Sequence, residues 1–165
     1  MSPEELAEHE VEIGFLQRRR IEANIIAPIY KAMVAENGAD KAAEIIRGAI
    51  ATDARKSGAE FAARETGGPT IATFIDIQRL WRKGDALVTD TLVQTDDTFS
   101  FNVTRCRYAE MYREMGLQDI GALLSCVRDA EFIAGYNPDI TFSRSQTLMQ
   151  GASHCDFKYT TAPTT

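Results

Sequence analysis

Apolar residues in the first half of the chain recur at the three- and four-residue spacing of amphipathic helices. Three helices are predicted there, over residues 2–20, 21–36 and 40–55. The first begins at Ser2-Pro3-Glu4-Glu5, which combines a serine cap, a proline at the first helical position and a glutamate at the capping-box position. Pro28 predicts a kink or a fresh start in the second helix, and the third can continue past the weak Ser57-Gly58 break to Glu65.

Glycine-containing breaks divide the first half of the chain. Asn37-Gly38 predicts the end of the second helix, and the run Thr66-Gly67-Gly68-Pro69-Thr70 predicts a loop. Beyond that loop, Phe74, Ile77 and Trp81 lie at helical spacing and predict a helix over 71–83.

After residue 85 the hydrophobic period changes from that of a helix to the two-residue alternation of strands. Strands are predicted over 86–93, 98–104, 140–148 and 153–159, with helices over 107–115 and 119–134. The pattern predicts an α+β fold with a helical N-terminal half and an antiparallel sheet of about four strands covered by helices. One domain is expected over 1–160, followed by a frayed threonine-rich tail over 161–165.

Charge and composition narrow the classes of partner. The 165 residues carry 18 Lys and Arg against 24 Asp and Glu, a formal net charge of −6. Binding to nucleic acids or anionic membranes needs a basic stripe, whereas here only Arg18-Arg19-Arg20 cluster, and we interpret them as a solvated helix face. We therefore expect neither partner. No signal-peptide pattern and no run near the ~20 apolar residues of a membrane span occur, so we expect a cytoplasmic protein.

The candidate chemistry concentrates between Ser125 and Tyr159, which contains two of the three cysteines. On the predicted helix 119–134, Cys126 and Asp129 lie one turn apart on a surface that is apolar around most of its circumference. An enclosed carboxylate needs a partner or has a raised pKa suited to acid–base work. In the predicted strand 140–148, Arg144 shares a face with Phe142, so its guanidinium needs a carboxylate from Asp129 or from a ligand.

The last predicted strand places Cys155 inward and His154 outward, because Cys155 alternates with Phe157 and Tyr159. This weakens a Cys126–His154 dyad. A zinc site formed by Cys126, Asp129, His154 and Cys155 is an alternative, although none of the usual metal-ligand spacings supports it. The odd number of cysteines, which includes Cys106, predicts reduced thiols and no disulfide framework.

A set of short motifs, most of them after Cys106, resembles the L-2-amino-thiazoline-4-carboxylic acid hydrolase family. The motifs are Cys106-Arg107-Tyr108, Met115-Gly116, Ser125-Cys126-x-x-Asp129, Asn137-Pro138, Phe142-x-Arg144, Thr147-Leu148 and Gly151-x-x-x-Cys155-x-Phe157. The N-terminal half fits more loosely, through Ala27-Pro28-Ile29-Tyr30 and Gly38-x-x-x-Ala42. The resemblance implies a hydrolase without a redox cofactor, which opens a small thiazoline, cyclic amidine or cyclic amide ring on a carboxylate-bearing substrate.

Such a ring opening needs an attacking group, stabilisation of a tetrahedral centre and an acid for the departing atom. We expect Cys126 to attack or line the reacting carbon, Asp129 to act as general base or acid, and Arg144 to hold the substrate carboxylate. His154 is a possible proton shuttle. Substrate-binding positions are expected at Cys106, Cys155 and Phe142.

Two other interpretations stay open. The Gly151-x-x-x-Cys155 ending also resembles small-molecule-binding domains of the vinyl-reductase type, which indicates a non-catalytic sensor with the same pocket. The apolar positions on residues 21–34 exceed what one buried stripe requires, so a homo-oligomer through that region is expected.

Overall fold

The structure is a computed structural model that describes residues 13–162. Its helical first half comprises α1 (Phe15–Asn37), α2 (Ala39–Ala62), α3 (Ile71–Ile77) and α4 (Arg79–Arg82). The second half comprises β1 (Leu87–Gln94), β2 (Thr98–Cys106), α5 (Arg107–Glu114), a π-helical segment (Ala122–Cys126), α6 (Val127–Tyr136), β3 (Thr141–Ser143), a 3₁₀ turn (Leu148–Gln150) and β4 (Cys155–Thr160). The four strands form one sheet in the order β1-β2-β4-β3, with every neighbouring pair antiparallel. The α+β prediction is therefore confirmed.

Helix α1 differs from its prediction because it runs without a break across Arg20-Ile21 and through Pro28. The two predicted helices are one helix over the described residues, and the predicted start at Ser2 lies outside them. Packing of α1 on its neighbours outweighs the hydrogen bond that proline removes, as the complete burial of Ala23 indicates. The helix ends as predicted at Gly38, whose positive φ of 82° suits glycine and whose N–H donates to the Val34 carbonyl.

Helix α2 passes Ser57-Gly58 and ends at Ala62, because Gly58 marks a close helix contact and no break. A Cβ at Gly58 would lie 2.1 Å from the carbonyl oxygen of Phe132 on α6. Reciprocally, a Cβ at Gly135 on α6 would lie 2.0 Å from the carbonyl oxygen of Arg55 on α2. The two glycines let the backbones of α2 and α6 touch, which fixes the position of α6.

The inward alternation predicted for β2 and β4 is confirmed. Phe99, Phe101 and Val103 of β2 are buried, and they pair in register with Tyr159, Phe157 and Cys155 of β4. This face packs against α3 and α6 through the aromatic rings of Phe74, Phe132 and Tyr136. The sheet and α6 thereby face each other across the interior of the domain.

The bounds of one strand and one helix near the candidate site residues differ from their predictions. The predicted strand 140–148 is wrong beyond Ser143, because the Asp156 carboxylate accepts hydrogen bonds from the N–H groups of Ser145 and Gln146 and bends the chain away from the sheet. Arg144 therefore lies in the loop after β3. The predicted helix 119–134 begins at Gly121, has π geometry over Ala122–Cys126 and ends at Tyr136.

Among residues 13–162, no helix is long and apolar enough to cross a membrane. The predicted frayed tail lies partly outside the described residues. Its first member, Thr161, donates its N–H to the Asp97 carbonyl at 2.9 Å.

Candidate active site

A cavity with two joined compartments lies between the helices and the sheet. The larger compartment has a volume of about 260 Å³ and the smaller, inner one about 70 Å³, and they share eight lining residues. The shared walls come from α1, α4, β2, α6 and β4, through Arg19, Trp81, Val103, Asp129 and Phe157 among others. The site is therefore built from both halves of the chain.

The inner compartment brings together most of the side chains that the sequence singled out. Its walls include Cys106 at the end of β2, Cys126 in the π segment, Asp129 on α6, Arg144 after β3 and Cys155 at the start of β4. All three cysteines are free thiols. Five residues from five segments thus converge on one space, four of them from helices and strands and Arg144 from a loop.

Asp129 and Arg144 form an ion pair at the wall between the compartments. Arg144 Nη1 donates to Asp129 Oδ2 at 2.5 Å, and Arg144 Nη2 donates to the Cys126 carbonyl at 3.2 Å. The side chains are 14% and 25% exposed for Arg144 and Asp129 respectively. Burial raises the pKa of Asp129 above its ordinary value, although the Arg144 guanidinium opposes this shift.

Aromatic rings hold the Arg144 guanidinium in place. Its central carbon lies 5.4 Å from the ring centre of Phe142 and 5.2 Å from that of Phe157. Phe142 itself packs on Phe157 and Tyr159 and is not in the wall of either compartment. Its contact with the site is therefore indirect, through the position of Arg144.

The π segment supplies two backbone carbonyls to arginine side chains. In π geometry, hydrogen bonds join residues five apart, and such segments often occur at functional sites. The Leu124 carbonyl accepts from Arg128 Nε at 3.0 Å, and the Cys126 carbonyl accepts from Arg144 Nη2. Arg128 and Asp129, which follow the segment within three residues, both line the cavity.

The three thiols are neutral groups in this environment. Burial raises the pKa of Cys106 to about 11, although a hydrogen bond from the Ala109 N–H lowers it. Burial likewise raises the pKa of Cys126, and the negative charge of Asp129 adds to the shift. Burial raises the pKa of Cys155 against a hydrogen bond from the Leu148 N–H. A nucleophilic role for any of them therefore needs a base to remove the proton.

Arg19 and Arg128, which the sequence did not point to as site residues, line both compartments. Arg19 borders both compartments with a side chain 13% exposed, so the interpretation of Arg18-Arg19-Arg20 as a solvated face is wrong for Arg19. The missed signal is the spacing Phe15, Arg19, Ala23, which places Arg19 on the inward face of α1. The missed signal for Arg128 is its place next to Asp129 on a helix predicted to be apolar around most of its circumference, where a guanidinium also needs an acidic partner.

Acidic partners balance these two arginines. Arg19 Nη1 donates to both carboxylate oxygens of Glu22, at 2.8 and 2.6 Å. Arg128 Nη1 donates to Asp53 at 2.7 Å, and its Nη2 lies 3.6 Å from Glu22. Only Nη1 of Arg19 is used in these contacts, so its other donors remain available at the cavity wall.

His154 lies apart from the cluster. Its ring is within hydrogen-bond distance of Gln146 Nε2 at 3.3 Å and of Ser153 Oγ at 2.9 Å, and it lines neither compartment. The expected proton shuttle therefore gains no support from its position. Over residues 13–162, no group of three or more His, Cys, Asp and Glu side chains is arranged to hold a metal ion.

Comparisons with known proteins agree with the motifs and with the architecture. The family model described as L-2-amino-thiazoline-4-carboxylic acid hydrolase matches residues 18–159. Among curated proteins there is no match to this chain. In fold, the chain is similar to the crystal structure of the phenol-responsive sensory domain of the transcription activator PoxR with phenol. That likeness has a TM-score of 0.53 and 11% identity over 83% of this chain and 73% of the other.

Proposed function

The chain belongs to the L-2-amino-thiazoline-4-carboxylic acid hydrolase family, and from this premise we propose that it opens a small cyclic amidine, thiazoline or cyclic amide ring by adding water. The observation that carries the proposal is the inner compartment, where Asp129, Arg144 and Cys126 meet. At about 70 Å³ this space admits only part of a ring, since a cavity that takes benzene measures ~150 Å³. The reacting bond enters it and the rest of the substrate occupies the larger compartment.

Asp129 is the proposed proton carrier. It takes a proton from water as the water oxygen bonds to the carbon of the ring C=N group, and passes that proton to the nitrogen. It then takes the hydroxyl proton as the bond from this carbon to the departing ring atom breaks, and passes it to that atom. A carbonyl results, and one water is consumed. The raised pKa of Asp129 suits both directions of transfer.

Cys126 is the proposed partner of Asp129 at the reacting carbon. Because its pKa is raised, its thiol is protonated at rest and attacks only if Asp129 removes the proton. On that route the C–S bond forms, the bond to the departing ring atom breaks and Asp129 passes the thiol proton to that atom. Water then displaces the sulfur, giving one proton to the sulfur through Asp129 and one to the nitrogen. If water attacks directly, Cys126 forms the wall against which the reacting carbon lies. The two routes differ in whether a covalent adduct forms, which intact-protein mass spectrometry of quenched turnover detects.

Arg19 is the proposed anchor for the substrate carboxylate, in place of Arg144. Two of the five N–H donors of Arg144 bind Asp129 and the Cys126 carbonyl, and Arg144 borders only the inner compartment. Arg19 uses only Nη1 for Glu22, and it borders both compartments. Arg144 then serves to orient the Asp129 carboxylate, and Arg19 binds the ligand.

The test is ring opening by the purified protein. A panel of 2-amino-thiazoline-4-carboxylate, carboxylate-bearing imidazolines and substituted hydantoins is incubated with protein, and products are identified by liquid chromatography and mass spectrometry. We expect an increase of one water in mass for at least one member, lost in Cys126→Ser and Asp129→Asn variants that keep their circular dichroism. Full turnover in both variants, or no turnover of any member, contradicts the proposal.

The second candidate is a ligand-binding domain without turnover. The fold likeness to a sensory domain and the neutral state of the thiols favour it. It predicts a rise in melting temperature with cyclic carboxylates and no mass change in the ligand after prolonged incubation.

A further inference from the structure

Gln78 is a buried polar residue in the larger compartment whose side-chain amide has no hydrogen-bond partner among residues 13–162. The residue is only 8% exposed and lies where α3 gives way to α4. Its backbone N–H donates to the carbonyls of Phe74 and Ile75, so the backbone is satisfied while the side chain is free. Every fully occluded side-chain nitrogen and oxygen in the described part of the chain has a partner, so the Gln78 amide faces the compartment that it lines.

The Gln78 amide is not fully occluded, so solvent in the compartment reaches it when no ligand is bound. A ligand that displaces this solvent without replacing its hydrogen bond leaves the amide desolvated and unpaired, which weakens binding. A ligand group that bonds to Gln78 recovers this loss, whereas a group of the same shape that cannot bond leaves it unrecovered. Gln78 is therefore placed to discriminate between ligands.

The surroundings of Gln78 indicate which part of a ligand it meets. Seven aromatic side chains line the larger compartment, among them Phe74, Trp81 and Phe157. Its volume of about 260 Å³ exceeds the ~150 Å³ that holds a benzene ring. Gln78 lines this compartment alone, while Asp129 lines both, so Gln78 lies on the side away from the reacting group.

We propose that Gln78 is a specificity residue that hydrogen-bonds to a polar group at the tip of an aryl substituent on the ligand. The aryl ring stacks among the aromatic side chains, and the carboxylate-bearing end reaches towards Arg19 and Asp129. The identity of the reacting ring rests on the proposed hydrolase function. The aryl and hydrogen-bonding requirement rests only on the compartment and on Gln78.

The test compares the affinities of two ligands for two proteins, the unaltered chain and Gln78→Met, by isothermal titration calorimetry. The probes are 3-phenylpropanoate and 3-(4-hydroxyphenyl)propanoate, which carry a carboxylate and an aryl ring but no ring that can be opened. In the unaltered protein we expect the hydroxyl to tighten binding about fivefold to tenfold, the value of one net hydrogen bond. In Gln78→Met this ratio falls to about one, while 3-phenylpropanoate binds equally or more tightly.

Controls separate specificity from structure. Gln118→Met changes an exposed glutamine outside the cavity and keeps the hydroxyl ratio of the unaltered protein. Butanoate, which has no ring, binds at least tenfold more weakly than 3-phenylpropanoate. If Gln78→Met does not fold, Gln78→Leu is measured instead, and its hydroxyl ratio is likewise expected to fall to about one, because leucine has no hydrogen-bonding group.

The outcomes distinguish this inference from the proposed function. An equal affinity for both aryl probes in the unaltered protein, or a hydroxyl ratio unchanged by Gln78→Met, overturns the role of Gln78. If the protein opens a ring of the substrate panel but binds both aryl probes equally, the hydrolase function is supported and the role of Gln78 is refuted. If the hydroxyl tightens binding and Gln78→Met removes this effect, but no ring is opened, the role of Gln78 is supported and the hydrolase function is refuted.

Discussion

Asp129 is paired with Arg144 in an enclosed site that Arg19 and Arg128 also line, and the balance between burial and these cations sets its chemistry. Burial disfavours the carboxylate, and Arg144 partly restores it through an ion pair of 2.5 Å. The same guanidinium also binds the Cys126 carbonyl, so any movement of Arg144 alters the acid and the backbone beside the thiol together.

The pH dependence of activity tests the base. A base must be deprotonated, so kcat/KM rises with pH through the pKa of Asp129, at a pH above the ~3.9 of an ordinary aspartate. Asp129→Asn is expected to remove this limb and to lower kcat/KM by about 10²–10⁴. Asp119→Asn, at an exposed position, leaves the profile unchanged. If kcat/KM of Asp129→Asn still rises with pH over the same range, the titrating group is another residue.

The raised pKa of Asp129 also affects stability. The ionised carboxylate that a base requires lowers the free energy of unfolding. Because the pKa of Asp129 is raised on folding, its unfavourable effect is absent below the unfolded pKa and appears as pH rises through the folded one. Yet Asp129→Asn leaves Arg144 without its anion, which costs about 3 kcal/mol when a buried pair is broken. The free energy of unfolding is therefore measured, by urea titration, before any kinetic comparison.

The pairing of α2 with α6 places the acid, because α6 carries Asp129. Gly58 and Gly135 allow the backbones to touch, and a side chain at either position meets main-chain oxygen and not a movable side chain. Arg128 and Asp129, which follow the π segment within three residues, both line the cavity. Geometry at the site thus depends on a helix contact at some distance along the chain.

A matched pair of substitutions on α2 tests this contact. Gly58→Ala puts a Cβ 2.1 Å from the Phe132 carbonyl, so we expect the helices to separate and unfolding to become easier by about 3 kcal/mol or more. Gly48→Ala lies on the same helix with nothing within 4 Å of the added atom, and stabilises by about 1 kcal/mol through helix propensity. Equal melting temperatures for the two variants contradict a tight contact.

An apolar stripe on the outer face of α1 is exposed to solvent in the single chain. Ile21, Ile25 and Ile29 follow one another at four-residue spacing and are exposed, Ile25 by 63%. The predicted homo-oligomer stays a proposal, and this stripe is its proposed interface.

Solution mass tests the interface. We expect multi-angle light scattering to give a multiple of the chain mass of 18.3 kDa. Ile25→Glu places a charge in the centre of the stripe and shifts the protein to the monomer, whereas Leu92→Glu, at an exposed position on β1, does not. A monomer for the unaltered protein rejects the proposal.

Much of the fold and part of the site were predictable from the sequence. The α+β class, the inward faces of β2 and β4, and the approach of Arg144 to Asp129 follow from alternation and from the need of a buried carboxylate for a cation. The strand over 140–148 was mispredicted beyond Ser143, and the close helix contact at Gly58 was not predicted. The Asp156 hydrogen bonds and the α2–α6 contact join segments that local patterns treat separately.

Local periodicity by itself determined most of the helices and strands and the inward faces of β2 and β4, since a residue's face within an element depends on its neighbours in the chain. Only the tertiary structure decided where the cavity lies and what it contains. Gln78 became a site residue because the end of α3 packs beside α6, through Phe74 and Phe132, and no local pattern contains that information. The spacing of Arg19 places it on the inward face of α1, but only the packing of α1 decides that this face borders a cavity.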